Sequence, residues 1–201
     1  MNWFLKGLKN GIKTERFPVG NQEYLPGWST RITGKGNSYC PTGAINEGKW
    51  DPEKCIFCRM CFPNYQPTGD SRIGIVNNYN KAFKKSLFIY PIDVGSCGGC
   101  NLELNALTSP HYDISRFGIF FVNTPKHADA LIVLGKLSEK MIEPLVRAYD
   151  SMPEPKIAIA GCSGAIMSKM PIKFDAVVPG CPPNPYTYLY TLVKIKNGEM
   201  Q

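Results

Sequence analysis

The sequence has no uninterrupted apolar run approaching the roughly 20 residues that cross a bilayer, so no spanning helix is predicted and the protein is expected to be soluble or peripheral. It shows no secretory leader: in Met-Asn-Trp-Phe-Leu-Lys-Gly-Leu-Lys, Lys6 and Lys9 break the apolar run and no small-residue cleavage site follows. There is no internal repeat or low-complexity tract, and no Gly-x-Gly-x-x-Gly, which argues against a dinucleotide site. Charge is sparse, at 19% of 201 residues against 43% hydrophobic, which suits one good core with a small appendage rather than a disordered polymer. The net charge of +7 fits nucleic acid, an anionic membrane or an acidic partner, and does not choose among them. What the sequence does have is eight cysteines. Without a leader, cysteines at close spacings point to metal rather than to disulfides.

Four of them follow apolar runs. Residues 86–92 lead into Asp93-Val-Gly-Ser-Cys97-Gly-Gly-Cys100-Asn-Leu-Glu-Leu, which reads as a buried strand, a tight loop and a helix over 102–107, with Cys97 and Cys100 in the loop. Cys162 directly follows the strand-like 156–161, and Cys181 directly follows 175–180. In open parallel sheets functional groups gather outside the carboxyl ends of the strands, so Cys97, Cys100, Cys162 and Cys181 are predicted to form one four-thiolate metal site. Further strands are expected at 117–122 and 130–135, and helices at 138–149, with Ser138 as N-cap, and at 186–195. Alternating strands and helices imply an α/β three-layer domain over 86–201.

The other four precede it. Cys40-Pro is followed by Cys55-Ile-Phe-Cys58-Arg-Met-Cys61, whereas bacterial ferredoxins read C-x2-C-x2-C-x3-C-P, each fourth cysteine serving the other cluster. A ferredoxin cut so that only its second cluster survives keeps a Cys-Pro and then a triplet, as here. Cys40, Cys55, Cys58 and Cys61 are therefore assigned to one [4Fe–4S] cluster in a small ferredoxin-like α+β domain, 39–65, with a hairpin inside 43–53. A zinc ribbon would more often pair two separate C-x2-C motifs. Residues 1–38 read as a basic amphipathic helix, with Trp3, Phe4, Leu8 and Ile12 near one face, and then an extended segment; 66–85 reads as a linker.

At Gly95-Ser-Cys-Gly-Gly-Cys-Asn-Leu-Glu, Ser109-Pro-His-Tyr-Asp, Arg116-Phe-Gly, His127-Ala-Asp-Ala-Leu-Ile-Val and Pro179-Gly-Cys-Pro-Pro, the chain resembles the small subunit of energy-converting membrane-bound [NiFe] hydrogenases and the homologous 20-kDa-type subunit of complex I. The resemblance spans about residues 86–195, and Cys97 and Cys100 follow the C-x2-C hydrogenase pattern rather than the adjacent pair of complex I. It implies a flavodoxin-like fold and a proximal [4Fe–4S] cluster on Cys97, Cys100, Cys162 and Cys181, facing a large subunit of NiFe type or its complex I homologue. The function implied is electron relay through two [4Fe–4S] clusters, at the cytoplasmic face of the membrane, among other hydrophilic and membrane subunits, with a ferredoxin or ferredoxin-like subunit as donor. An equivalent subunit of a quinone- or sulfur-reducing complex without nickel is the alternative. A nucleic-acid protein with two zinc sites is the remote one, since no basic stripe interleaved with aromatics lies near the cysteines and no nucleic-acid partner is expected.

Two features depart from the family: the segment before 65 resembles a ferredoxin-type subunit that is commonly a separate chain, and the Cys162-to-Cys181 span is short. Glu103, three residues after Cys100, is either a proton relay or a first-turn carboxylate favoured by the helix dipole. His127 is expected to be structural or at an interface, His111 is assigned no role, and Gly95, Gly98 and Gly99 are read as letting backbone wrap a cluster. Pro182 and Pro183 are expected to fix the turn after Cys181.

Overall fold

The computed structural model describes residues 3–10, 30–78, 80–166 and 168–198. The N-terminal helix is present as α1 (Trp3–Asn10), with Leu5, Lys6, Leu8 and Lys9 all exposed. Ile12, and residues 16–29 of the expected extended segment, lie outside the described residues.

Residues 30–71 form a small unit built on strands and turns. β1 (Ile32–Gly34) pairs antiparallel with β4 (Tyr65–Pro67), Thr33 facing Gln66. Between them β2 (Ile45–Asn46) and β3 (Lys49–Trp50) make the expected hairpin. Its turn residues Glu47 and Gly48 have φ of 50° and 74°, the left-handed pair whose twist matches that of the flanking strands. Asp70 ties the base together, pairing with Arg31 at 3.4 Å and Arg72 at 2.9 Å. The unit begins ahead of the expected boundary at 39 because β4 takes its partner from residues 32–34. Its buried apolar set is Ile32, Ala44, Cys55, Phe57 and Tyr65, joined by Ile73 just past its end, little core for a self-standing domain.

The second unit is a six-stranded sheet made of β5 (Ile75–Val76), β6 (Leu87–Asp93), β7 (Ile119–Phe121), β8 (Ala130–Leu134), β9 (Ile157–Ala160) and β10 (Ala176–Val177), in the order β5-β10-β9-β8-β6-β7. All pairings are parallel except β5 with β10. Counted from β6, the parallel strands run 2-1-3-4-5, the flavodoxin-like doubly wound order. Every residue of β8 (ALIVL) is buried, as a central parallel strand covered on both faces requires. Each such Leu or Ile contributes roughly 1.5–3 kcal/mol by leaving water.

Three expectations are corrected here. The stretch 66–85 is not a linker: β5 completes the sheet edge, and a 3₁₀ turn over Lys81–Lys84, capped by Asn80, buries Phe83. A strand of two residues has no periodicity to read. Ser138 makes no side-chain cap; a 3₁₀ turn over Glu139–Met141 precedes α3 (Ile142–Asp150). Pro144 has no N–H to extend α-helical bonding further back, so the helix starts where that missing donor falls in the first turn. Cys100 is not in a loop, because α2 (Gly99–Asn105) begins before it, just after Gly98 turns the chain at φ 90°. α4 (Ser163–Ile166) follows β9, and α5 (Pro185–Asn197) closes the chain, with the Asn184 side chain accepting from the Tyr186 N–H.

Candidate metal centres

The carboxyl ends of β6, β9 and β10 share one edge of the sheet, and each is followed by cysteine: Cys97 and Cys100 after β6, Cys162 after β9, Cys181 after β10. Cys100 and Cys162 are buried, and Cys97 and Cys181 are exposed. The Cys100 thiol is hydrogen-bonded to Cys162, and that bond, with the N–H groups of Gly135, Ala165 and Gly164, lowers the Cys162 thiol to about 6 against the effect of burial. The Gly135 N–H donates to its Sγ at 3.1 Å. The same bond, burial and the charges of Cys162, Cys181 and Cys97 push Cys100 up. Cys181 is raised by burial and then by Cys162 and Cys97. The loops that carry the four cysteines thus share one edge of the sheet, and Cys100, Cys162 and Cys181 are each shifted by neighbouring cysteines of the group.

The loop that carries Cys97 is organised by Asp93, a residue the sequence pattern does not single out. Its carboxylate accepts from the N–H of Gly95 at 2.9 Å and of Ser96 at 2.7 Å, from Ser96 Oγ at 2.6 Å and from Asn101 Nδ2 at 2.5 Å. Burial opposes the charge, but these donors hold the carboxyl down at about 2. The loops after β6 and β8 also meet backbone to backbone. A Cβ on Gly135 (φ 89°) would stand 2.4 Å from Ser96 N, and one on Gly95 would stand 2.4 Å from Lys136 O.

Cys40, Cys55, Cys58 and Cys61 line a single small pocket, together with Trp50, Phe57 and Thr42. Phe57 and Arg59, the residues between the cysteines, have φ of 53° and 64°; such strained non-glycine backbone clusters at ligand sites. Backbone N–H groups turn toward sulfur: Ala44 donates to Cys40 at 3.2 Å and Phe57 to Cys55 at 3.4 Å. Burial raises Cys55, and burial followed by the charges of Cys58 and Cys40 raises Cys61. At Cys40 burial is outweighed by the hydrogen bonds of Thr42, Ala44 and Ile45, and its thiol is lowered. The Trp50 indole Nε1–H is buried without a formed hydrogen bond among the described residues, yet it favours the Cys55 thiolate.

These features fit an anionic iron–sulfur group. Each group offers four thiols, amide donors point at sulfur, and the pocket holds an unsatisfied N–H. Among the described residues no three His, Cys, Asp or Glu side chains are arranged to hold one metal ion. A cubane spreads its thiolates over separate irons and does not need that geometry.

Glu103 lies on α2 past Cys100, half-buried, with its carboxyl pushed up by burial. Tyr112 is close enough for the Glu103 charge to raise it, after burial and Tyr186. His111, given no role from sequence, meets the Tyr186 hydroxyl through Nε2 at 3.0 Å. His127 is exposed in the 3₁₀ turn over Pro125–His127 that precedes β8, away from the thiol edge.

The family model described as NADH ubiquinone oxidoreductase, 20 Kd subunit, matches residues 97–195. Formate hydrogenlyase subunit 7 of Escherichia coli is 39% identical over 123 residues, 55% of this chain and 48% of its own length. The protein named Probable membrane-bound hydrogenase subunit mbhJ, of Pyrococcus furiosus, is 36% identical over 126 residues, 56% of this chain and 75% of its own. An NADH-quinone oxidoreductase subunit of Geobacter metallireducens is 34% identical over 154 residues, 68% of this chain and 86% of its own. The chain therefore spans about half of the first relative and three quarters or more of the other two.

Proposed function

The chain belongs to the NADH ubiquinone oxidoreductase 20 Kd subunit family, and from that premise we propose that it is the electron-transfer subunit of a membrane-associated [NiFe] hydrogenase complex, holding two [4Fe–4S] clusters. Cys40, Cys55, Cys58 and Cys61 bind the first and Cys97, Cys100, Cys162 and Cys181 the second. Such a cluster, when bound, takes up and releases single electrons at a potential set by charge, hydrogen bonds and exposure. The protein supplies the thiolates, the N–H donors and the apolar packing. It performs no substrate chemistry of its own; that lies in a large subunit.

The observation that carries the reading is the convergence of four thiols from three strand ends, two of them exposed, beside the exposed Leu102. An electron-delivering site has to open onto its partner, and the exposed thiols of Cys97 and Cys181, with the exposed Leu102 on the helix that carries Cys100, suit a permanent neighbour. At the other group, exposed Tyr39, Met60 and Phe62 surround the exposed Cys58, a surface suited to a ferredoxin or ferredoxin-like donor. No helix among the described residues is long and apolar enough to cross a membrane. The proposed placement is peripheral, at the cytoplasmic face, through membrane subunits. Glu103 is proposed as a proton-handling group at the large-subunit face, since burial raises its carboxyl.

The test is composition. Anaerobically purified protein contains about eight iron and eight sulfide per chain, as two cubanes require; stoichiometric zinc without sulfide contradicts the proposal. The similarity to an NADH-quinone oxidoreductase favours one second reading, the same relay in a complex without nickel. Two C-x2-C pairs in the large subunit establish the hydrogenase, and their absence establishes the other reading.

A further inference from the structure

The two thiol groups are not merely near each other in the fold. One side chain joins them. Ser163, fully buried, directly follows Cys162, and its hydroxyl donates to the main-chain carbonyl of Cys55 at 3.3 Å. The same oxygen accepts from the N–H of Gly180, the residue before Cys181, at 2.9 Å. The Ser163 N–H in turn donates to the Gly180 carbonyl at 2.9 Å. Ser163 is thus bonded to the backbone beside three of the eight cysteines, and both roles of its hydroxyl are used.

A buried hydroxyl is expected to be hydrogen-bonded, but the choice of partners is informative. The Cys55 carbonyl belongs to the small unit and lies 108 residues away in sequence. No packing need dictates a serine here, since α4 would begin as well on Ala. What alanine cannot do is bridge the carbonyl of Cys55 to the amide of Gly180.

We infer that Ser163 is a positioning residue that clasps the small unit to the α/β domain and fixes the spacing and orientation of the two thiol groups for electron passage between them. The inference rests on the proposed two-cluster reading. When one electron crosses, the first site is oxidised and the second reduced by one unit, with no atom transferred. One connection from ligand to ligand runs from Cys55 through its carbonyl, across the Ser163 hydrogen bond, to Cys162. It contains one non-covalent step.

The test compares Ser163→Ala with Ser163→Thr, which keeps the hydroxyl, in the anaerobic, cluster-loaded complex. Three quantities are measured: iron and sulfide per chain, the spin–spin splitting between the two reduced clusters, and amide exchange at 55–58. In Ser163→Ala iron and sulfide are retained and the splitting weakens or disappears. Exchange at 55–58 quickens roughly tenfold, the effect of losing one buried hydrogen bond, while β8 stays protected. Ser163→Thr restores the splitting and the slow exchange. Unchanged splitting and exchange in Ser163→Ala overturn the inference, as does equal damage by both variants, which marks a volume effect rather than the hydroxyl. If the parent protein holds fewer than two clusters, the two-cluster reading fails by its own measurement. The exchange rates then still decide whether Ser163 clasps the units.

Discussion

The two thiol groups are built by opposite strategies. The first takes three of its four cysteines from one seven-residue stretch, 55–61, in a unit whose buried apolar set is six residues. The second gathers four cysteines from three strand ends, spread over residues 97–181, on a core with thirty-one buried members. In the first the ligands are local and the fold is thin, so on the proposed reading the bound group holds the fold. In the second the ligands are remote and the fold is thick, so the fold holds the ligands. The difference predicts how each site fails.

Its sharpest test removes one ligand from each. Cys58→Ala should lose one cluster and leave residues 30–71 open to proteolysis and fast amide exchange, with the α/β domain and its own cluster intact. Cys100→Ala should lose the other cluster while both units keep their protection. Equal unfolding in the two variants breaks the comparison.

The same contrast governs what could be read from sequence. That Cys40, Cys55, Cys58 and Cys61 line one pocket was legible because three of them lie within seven residues and a Cys-Pro precedes them. The placement of the second at one sheet edge was legible because cysteine follows three strand-like runs, directly at Cys162 and Cys181 and after a short loop at Cys97, and the doubly wound order brings those strand ends together. Asp93, Trp50 and Ser163 were not legible as site residues, since their partners are set by loop geometry or by contacts across the chain. β5 was missed for want of periodicity, and Ser138 was over-read because a good cap residue does not guarantee a helix when Pro144 follows. Of the apolar face expected on α1, Leu8 is exposed, while the side chains of Trp3 and Phe4 and all of Ile12 lie outside the described residues.

Smaller changes sharpen the comparison on the fold-held side. Gly135→Ala places a methyl 2.4 Å from Ser96 N in a left-handed backbone position. It should destabilise the α/β domain by roughly 1–3 kcal/mol in denaturant unfolding without touching residues 30–71. Asp93→Ala removes the acceptor of four donors and should cost about 2 kcal/mol, allowing for the solvent exposure of the carboxylate. The folded carboxyl sits at about 2, below its ordinary value, so its contribution is complete above pH ~4 and fades as pH falls through about 2. A carboxyl carbon resonance that titrates near 4 in the folded chain would contradict this account.

The smallest effect belongs to the first group. Trp50→Phe deletes a buried N–H that faces the Cys55 thiolate. With its donor gone, the reduced, more negative state is less favoured, and the midpoint potential of the first cluster should fall by less than about 40 mV, the value of one fully formed hydrogen bond for a one-electron couple. The second cluster should not move. Redox titration followed by spectroscopy separates them.

The central claim is that electrons pass through the two groups in series. It is tested most directly by turnover of the assembled complex carrying Cys58→Ala or Cys100→Ala, driven in turn by its physiological donor and by an artificial donor able to reach the second site. The account predicts that Cys58→Ala fails with the physiological donor and works with the artificial one, whereas Cys100→Ala fails with both. If the two variants assemble and fail equally with every donor, the serial relay is wrong.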